Sequence, residues 1–127
     1  MLNTSVPMPL ASSLKRKDLL VEVSSAAINP VDYKLPETGM GAFMISKLAT
    51  RGLVFCGRVK VKHISDDSIE EGQLVFGCVE VLNKHGSCGQ FLIAERSECA
   101  VLPDGMDVDQ TVAFGTAGMT AYQSLLP

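Results

Sequence analysis

The stretch Val21-Glu22-Val23-Ser24-Ser25-Ala26-Ala27-Ile28-Asn29-Pro30-Val31-Asp32-Tyr33-Lys34 holds the decisive change of periodicity in this 127-residue chain. Leu19, Val21 and Val23 alternate with Leu20, Glu22 and Ser24. A period of two sets one apolar row against a core and leaves the other partly exposed, which predicts a strand from Asp18 to Ile28. Pro30 fixes its own φ and has no amide proton to lose, so it is suited to open a helical turn. Asn29 to Lys34 therefore turn sharply out of the strand and gather polar groups at its end.

Outward from this stretch, the same alternation returns from Leu53 to Lys62, with Arg58, Lys60 and Lys62 on one face and Val59 and Val61 on the other. The basic row reads as a solvated strand face rather than an anion site. Gln73 to Leu82 and Cys88 to Ala94 are two further β-rich runs, joined by the turn chemistry of Asn83 to Ser87. A short strand from Glu98 to Leu102 ends at Pro103-Asp104-Gly105. Val108, Val112, Met119, Tyr122 and Leu126 then share a helical stripe with Asp107 as N-cap, broken into two pieces at Gly115 and Gly118. Pro36 to Arg51 reads as a long mobile loop with one short helix, and Asp66, Asp67, Glu70 and Glu71 as an acidic loop. Several short strands with few helices point to a partly closed antiparallel β-barrel with terminal helices packed on it.

The size of 127 residues allows one small domain, too short for a catalytic domain plus a separate nucleotide-binding domain. With 46% hydrophobic and 20% charged residues a packed core is expected. A net charge of -3 lacks the basic surplus that a nucleic-acid footprint needs, so no nucleic-acid partner is expected. No apolar run approaches the roughly 20 residues needed to span a bilayer, and MLNTSVPMPL lacks the pattern of a secretory signal, which predicts a cytoplasmic protein without a membrane partner. Cys56, Cys78, Cys88 and Cys99 form no CxxC pair and read as reduced, mostly buried thiols. Gly39-Met40-Gly41, Gly86 to Gly89 and Gly115 to Gly118 all lack the strand, glycine loop and helix that would cradle a pyrophosphate.

Five ordered blocks carry more information than any of these alone: the opening stretch, Phe55-Cys56-Gly57-Arg58-Val59, Glu71-Gly72-Gln73-Leu74-Val75-Phe76-Gly77, Val101-Leu102-Pro103-Asp104-Gly105, and Gly115-Thr116-Ala117-Gly118-Met119-Thr120-Ala121-Tyr122. In order and spacing they resemble the medium-chain dehydrogenase/reductase superfamily over Asp18 to Leu125. Within it the chain resembles the zinc-independent quinone and enoyl reductases, especially the fungal enzymes of polyketide and other secondary-metabolite pathways. The resemblance implies a GroES-like barrel without the Rossmann domain. Residues 1–17, with Pro, Ser and the Lys15-Arg16-Lys17 run, read as an exposed segment from their composition, and the resemblance adds a catalytic domain at 18–106 and a helical connection at 107–127.

The resemblance also implies hydride transfer from NADPH to an enoyl or quinone substrate. Asn29 and Thr120 match positions near the nicotinamide; taken by themselves they read as local capping groups. Lys34 is a candidate donor to a developing enolate, with a solvated lysine as the other reading. Tyr33 is a candidate proton donor, with a packing residue as the other. Zinc-dependent relatives carry a cysteine where Asn29 stands and a His-Glu pair where Leu53-Val54 stand, so no zinc site is expected. The position of a family tyrosine falls on Met40, and that of a zinc-independent Asp on Val54. The family's phosphate-binding glycines would lie past Pro127, so weak or absent NADPH binding is expected of the chain alone. An inactive remnant that pairs with a full-length relative or a polyketide synthase, and a non-functional truncated product, are the alternatives.

Overall fold

The structure, a computed structural model, describes residues 5–38, 49–63 and 68–126. The expected loop from Pro36 to Arg51 and the acidic pair Asp66 and Asp67 fall largely or wholly outside them, as does Met40. Five antiparallel strands form one sheet: β1 (Asp18–Ala27), β2 (Val54–Lys62), β3 (Leu74–Cys78), β4 (Phe91–Glu95) and β5 (Cys99–Val101), in the spatial order β4-β1-β2-β3-β5. The helices are α1 (Pro30–Glu37), α2 (Val108–Thr111) and α3 (Thr116–Leu125).

β1 and β2 form the central pair. Their register runs from Leu19 opposite Lys62 to Ala27 opposite Val54, with irregularities at Leu20/Val21 and Val23/Ser25. Leu19, Val21, Phe55, Val59, Val75, Leu92 and Ala94 meet in the core. Leu20, expected on the partly exposed row, is buried too, because the first half of β1 is covered on both faces. The basic row of β2 has partners as well as solvent: Lys60 Nζ lies 3.1 Å from Glu22, Lys62 Nζ lies 3.4 Å from Glu70, and Arg58 donates to the Gly72 carbonyl.

The sheet curls. Its two edges, β4 and β5, are joined by only the three-residue turn Arg96–Glu98, a reach of roughly 10 Å, so the edges come near one another. The β-rich runs are shorter than their residue types suggested: after Cys78 and before Phe91 the chain leaves the sheet for a loop at 79–90.

The terminal stripe divides at one glycine rather than two. Asp107 caps α2 by accepting from the amides of Asp109 and Gln110, both at 2.9 Å. Val112 then joins the core, with Val108 packed against it. Gly115, which lies against the Val54 side chain, breaks the direction, whereas Gly118 sits inside α3. Beyond the break the stripe is exposed: Met119, Tyr122 and Leu126 keep more than half of their surface, and α3 buries no residue.

Candidate active site at one end of the sheet

Asn29 is where the strand stops being a strand. Its extended backbone (φ -117°, ψ 159°) hands the chain to Pro30 at the first helical position. Its backbone amide donates to Asp32 Oδ2 at 2.7 Å, and its side-chain amide donates to the Ala27 carbonyl at 3.3 Å. The capping reading of Asn29 is therefore realised, and its half-buried side chain stays at the strand end.

Asp32 closes the helix onto Asn29, which sets the rotation of α1. Val31 points inward against the core. Tyr33 and Lys34 consequently face outward; Tyr33 keeps 51% of its surface and Lys34 is exposed. Among the described residues neither side chain has a hydrogen-bond or ion-pair partner.

A second element reaches the same end of the sheet. Ala27, Val54 and Cys78 form one row across β1, β2 and β3. Asn29 is tied to the first of these residues, Gly115 packs on the second, and Thr116 Oγ1 lies 3.6 Å from the third through Cys78 Sγ. Thr120 stands one turn further along α3, exposed, its carbonyl accepting from Ser124 Oγ at 2.7 Å. Asn29, Tyr33 and Lys34 thus share one turn, and Thr120 belongs to a helix rooted beside it.

Between α1 and the loops beneath it lies a cavity of about 30 Å³, room for one water molecule, lined by Asp32, Leu35, Thr50, Arg51, Gly52 and Asn83 among others. Sequence reasoning missed this wall: Asn83 to Ser87 reads as a turn, but nothing in the sequence pairs its Gly86 with Gly52. Cys88, exposed where a buried thiol was expected, stands beside the wall, and partial desolvation and then the charge of Asp32 push its thiol above its ordinary value. Burial and then Lys84 hold the His85 imidazole below its own.

Neither described glycine pair has the surroundings of a pyrophosphate loop. Gly115 follows a 3-10 turn rather than a strand, and Gly89 leads into a strand rather than a helix. Among the described residues no group of three His, Cys, Asp or Glu side chains is placed to hold a metal ion, and no helix is long and apolar enough to cross a membrane.

No family model matches the sequence. A trans-enoyl reductase of Aspergillus terreus is 36% identical over 132 residues, which cover 98% of this chain and 37% of that protein. A zinc-type alcohol dehydrogenase-like protein of Schizosaccharomyces pombe is 33% identical over 130 residues, covering 98% of this chain and 38% of that protein. The quinone oxidoreductase of Coxiella burnetii superposes with a TM-score of 0.76 at 25% identity, over 86% of this chain and 35% of that one. The chain therefore spans a little over a third of the length of the curated relatives it matches.

Proposed function

We propose, for a chain related in sequence to trans-enoyl reductases and in fold to quinone oxidoreductases of the medium-chain dehydrogenase/reductase superfamily, that it is the acceptor-facing catalytic portion of a zinc-independent reductase. Its curled sheet is then a GroES-like, partly closed barrel, and the division at 1–17, 18–106 and 107–127 that of an entry segment, a catalytic domain and a connection. The observation that carries the reading is that α1 and α3 both start beside the Ala27-Val54-Cys78 row, α1 through Asn29 on Ala27 and α3 through Gly115 on Val54 and Thr116 on Cys78. This brings an unpartnered phenol and an unpartnered ammonium to the same sheet end as Asn29 and the root of α3.

NADPH, when bound, supplies the hydride to the β-carbon of an enoyl acceptor or to a quinone. The work of the chain is to orient the acceptor and to receive the charge that arrives with it. Lys34 donates to the acceptor carbonyl oxygen and stabilises it as negative charge develops there. Tyr33 gives up a proton to the reduced product. Asn29 and Thr120 present amide and hydroxyl groups to the nicotinamide end of the cofactor. Their fit is to that end only, since the described residues offer no helix-and-glycine cradle for the pyrophosphate.

The 127-residue chain is expected to take up NADPH weakly and to reduce nothing at an enzyme's rate by itself. Mixed with a nucleotide-binding half taken from a trans-enoyl reductase, it is expected to consume NADPH against an enoyl thioester or a quinone. In that mixture Lys34→Ala lowers kcat by about 100-fold and Tyr33→Phe by a smaller factor. Full activity of both variants would overturn the assignment. Tight stoichiometric capture of NADPH by the chain alone, measured by calorimetry, would contradict the division of labour.

A second reading has its own observation. Exposed Phe114, Met119, Tyr122, Leu125 and Leu126 on and around α3 favour a protein partner, such as a full-length relative or a polyketide synthase. A chain that stays monomeric and is never cross-linked to such a partner through α3 would remove it.

A further inference from the structure

The wall opposite α1 is built by two glycines that face each other. Gly52 has φ +93°, and any side chain there would run into the Ser87 hydroxyl and Cys88. A methyl group on Gly86 would sit 2.5 Å from the Gly52 carbonyl oxygen and 2.6 Å from those of Arg51 and Thr50. Those atoms are backbone and cannot swing aside. The two segments therefore approach more closely than residues with side chains allow.

Four backbone hydrogen bonds close the contact: Thr50 donates to Lys84 (2.9 Å), Gly86 to Thr50 (3.1 Å), Ser87 to Gly52 (2.9 Å) and Cys88 to Arg51 (2.7 Å). The base of the clasp is fixed by Asn83, whose side-chain amide donates to the Ile93 carbonyl of β4 and whose Oδ1 accepts from the His85 amide, both at 2.8 Å. On its other side, the clamped segment Thr50 to Leu53 faces Val31, Asp32 and Leu35 of α1 across the cavity. The influence of the Asp32 charge on Cys88 shows that helix and clasp lie within electrostatic reach. Beyond the Asn29 bonds at its start, α1 is seated by the partly buried Val31 and faces the clamped loop.

We propose that Gly86, with Gly52 opposite it, is a positioning residue of the candidate site: the glycine clasp fixes the wall on which α1 rests and thereby the placement of Tyr33 and Lys34. The inference rests on the reading that α1 carries the reacting face.

The test is amide hydrogen exchange and NMR on the 127-residue chain, comparing Gly86→Ala with the native protein. Exchange at Thr50, Ser87 and Cys88 is expected to rise by about tenfold or more, and at Lys34 and Leu35 with it, while the β1–β2 core amides keep their native rates. The Tyr33 ring resonances are expected to shift. Asn83→Ala, which cuts the tether to β4 without crowding, is expected to reproduce the pattern, and it replaces Gly86→Ala as the deciding variant should that one not fold. The proposal is overturned if the clasp opens while Lys34 and Leu35 exchange at native rates, if the core opens in parallel with α1, or if neither variant opens the clasp. No acceptor enters this measurement. Loss of the reductase reading would show instead as full turnover by the Lys34 and Tyr33 variants.

Discussion

Lys17 is the one described residue other than glycine in the left-handed region, at φ 82°. It completes the turn in which the Asp18 amide bonds to the Lys15 carbonyl, and its own carbonyl accepts from Arg96. Lys17→Gly is expected to stabilise the fold by about 1 kcal/mol, seen as a rise in Tm, because relief of the strained φ outweighs the extra freedom of the unfolded chain. His85 works in the opposite sense. Its pKa lies below the ordinary 6.5 in the folded chain, so the unfolded chain binds its proton first as pH falls. Stability drops as the pH is lowered from about 6.5 towards the depressed folded value; His85→Gln should flatten that segment of a Tm-against-pH curve. The chemistry of Asn29 and Asp107 was legible because a cap is a local device, readable from the residues that follow it. Tyr33 and Lys34 were legible as polar groups on a turn, but their outward direction was not. The rotation of α1 depends on the Asn29–Asp32 bond and on Val31 finding the core.

At the scale of elements, β1 and β2 could be read directly because each carries an alternating stretch, Val21 to Ser24 and Arg58 to Lys62, within a run of nine or ten strand residues. The later strands are legible in place but not in their ends. Val79 and Cys88 lie outside the strands although Val79 is buried in the core, and their amides bond to the Leu53 and Arg51 carbonyls rather than to a neighbouring strand. The helical stripe is continuous in sequence but not in space: Val108 and Val112 reach the core, and past Gly115, where the backbone (φ -55°, ψ -112°) redirects the chain, Met119, Tyr122 and Leu126 are exposed. Two substitutions test this joint. Asp107→Ala removes the acceptor of two α2 amides and is expected to cost about 1 kcal/mol. Gly115→Ala drives a methyl group into the Val54 side chain and is expected to cost about 1–3 kcal/mol, with chemical denaturation reading both.

For the molecule as a whole, no local pattern could give the strand order, since the pairing partner of β1 on one side is β4, with Asp18 opposite Glu95. The five sequence blocks located the family resemblance without fixing this pairing, and the clasp depends on it, because Asn83 anchors on the carbonyl of Ile93 in β4. That order also has a consequence for synthesis on the ribosome. The fully enclosed stretch Leu19 to Val21 is made well ahead of its partner strand, and its flank stays bare until Phe91 to Glu95 leave the exit tunnel. At roughly 5–20 residues per second that is an interval of several seconds. A nascent chain stalled ahead of β4 is therefore expected to recruit a holding chaperone to its first strand, and one released after β5 to let it go.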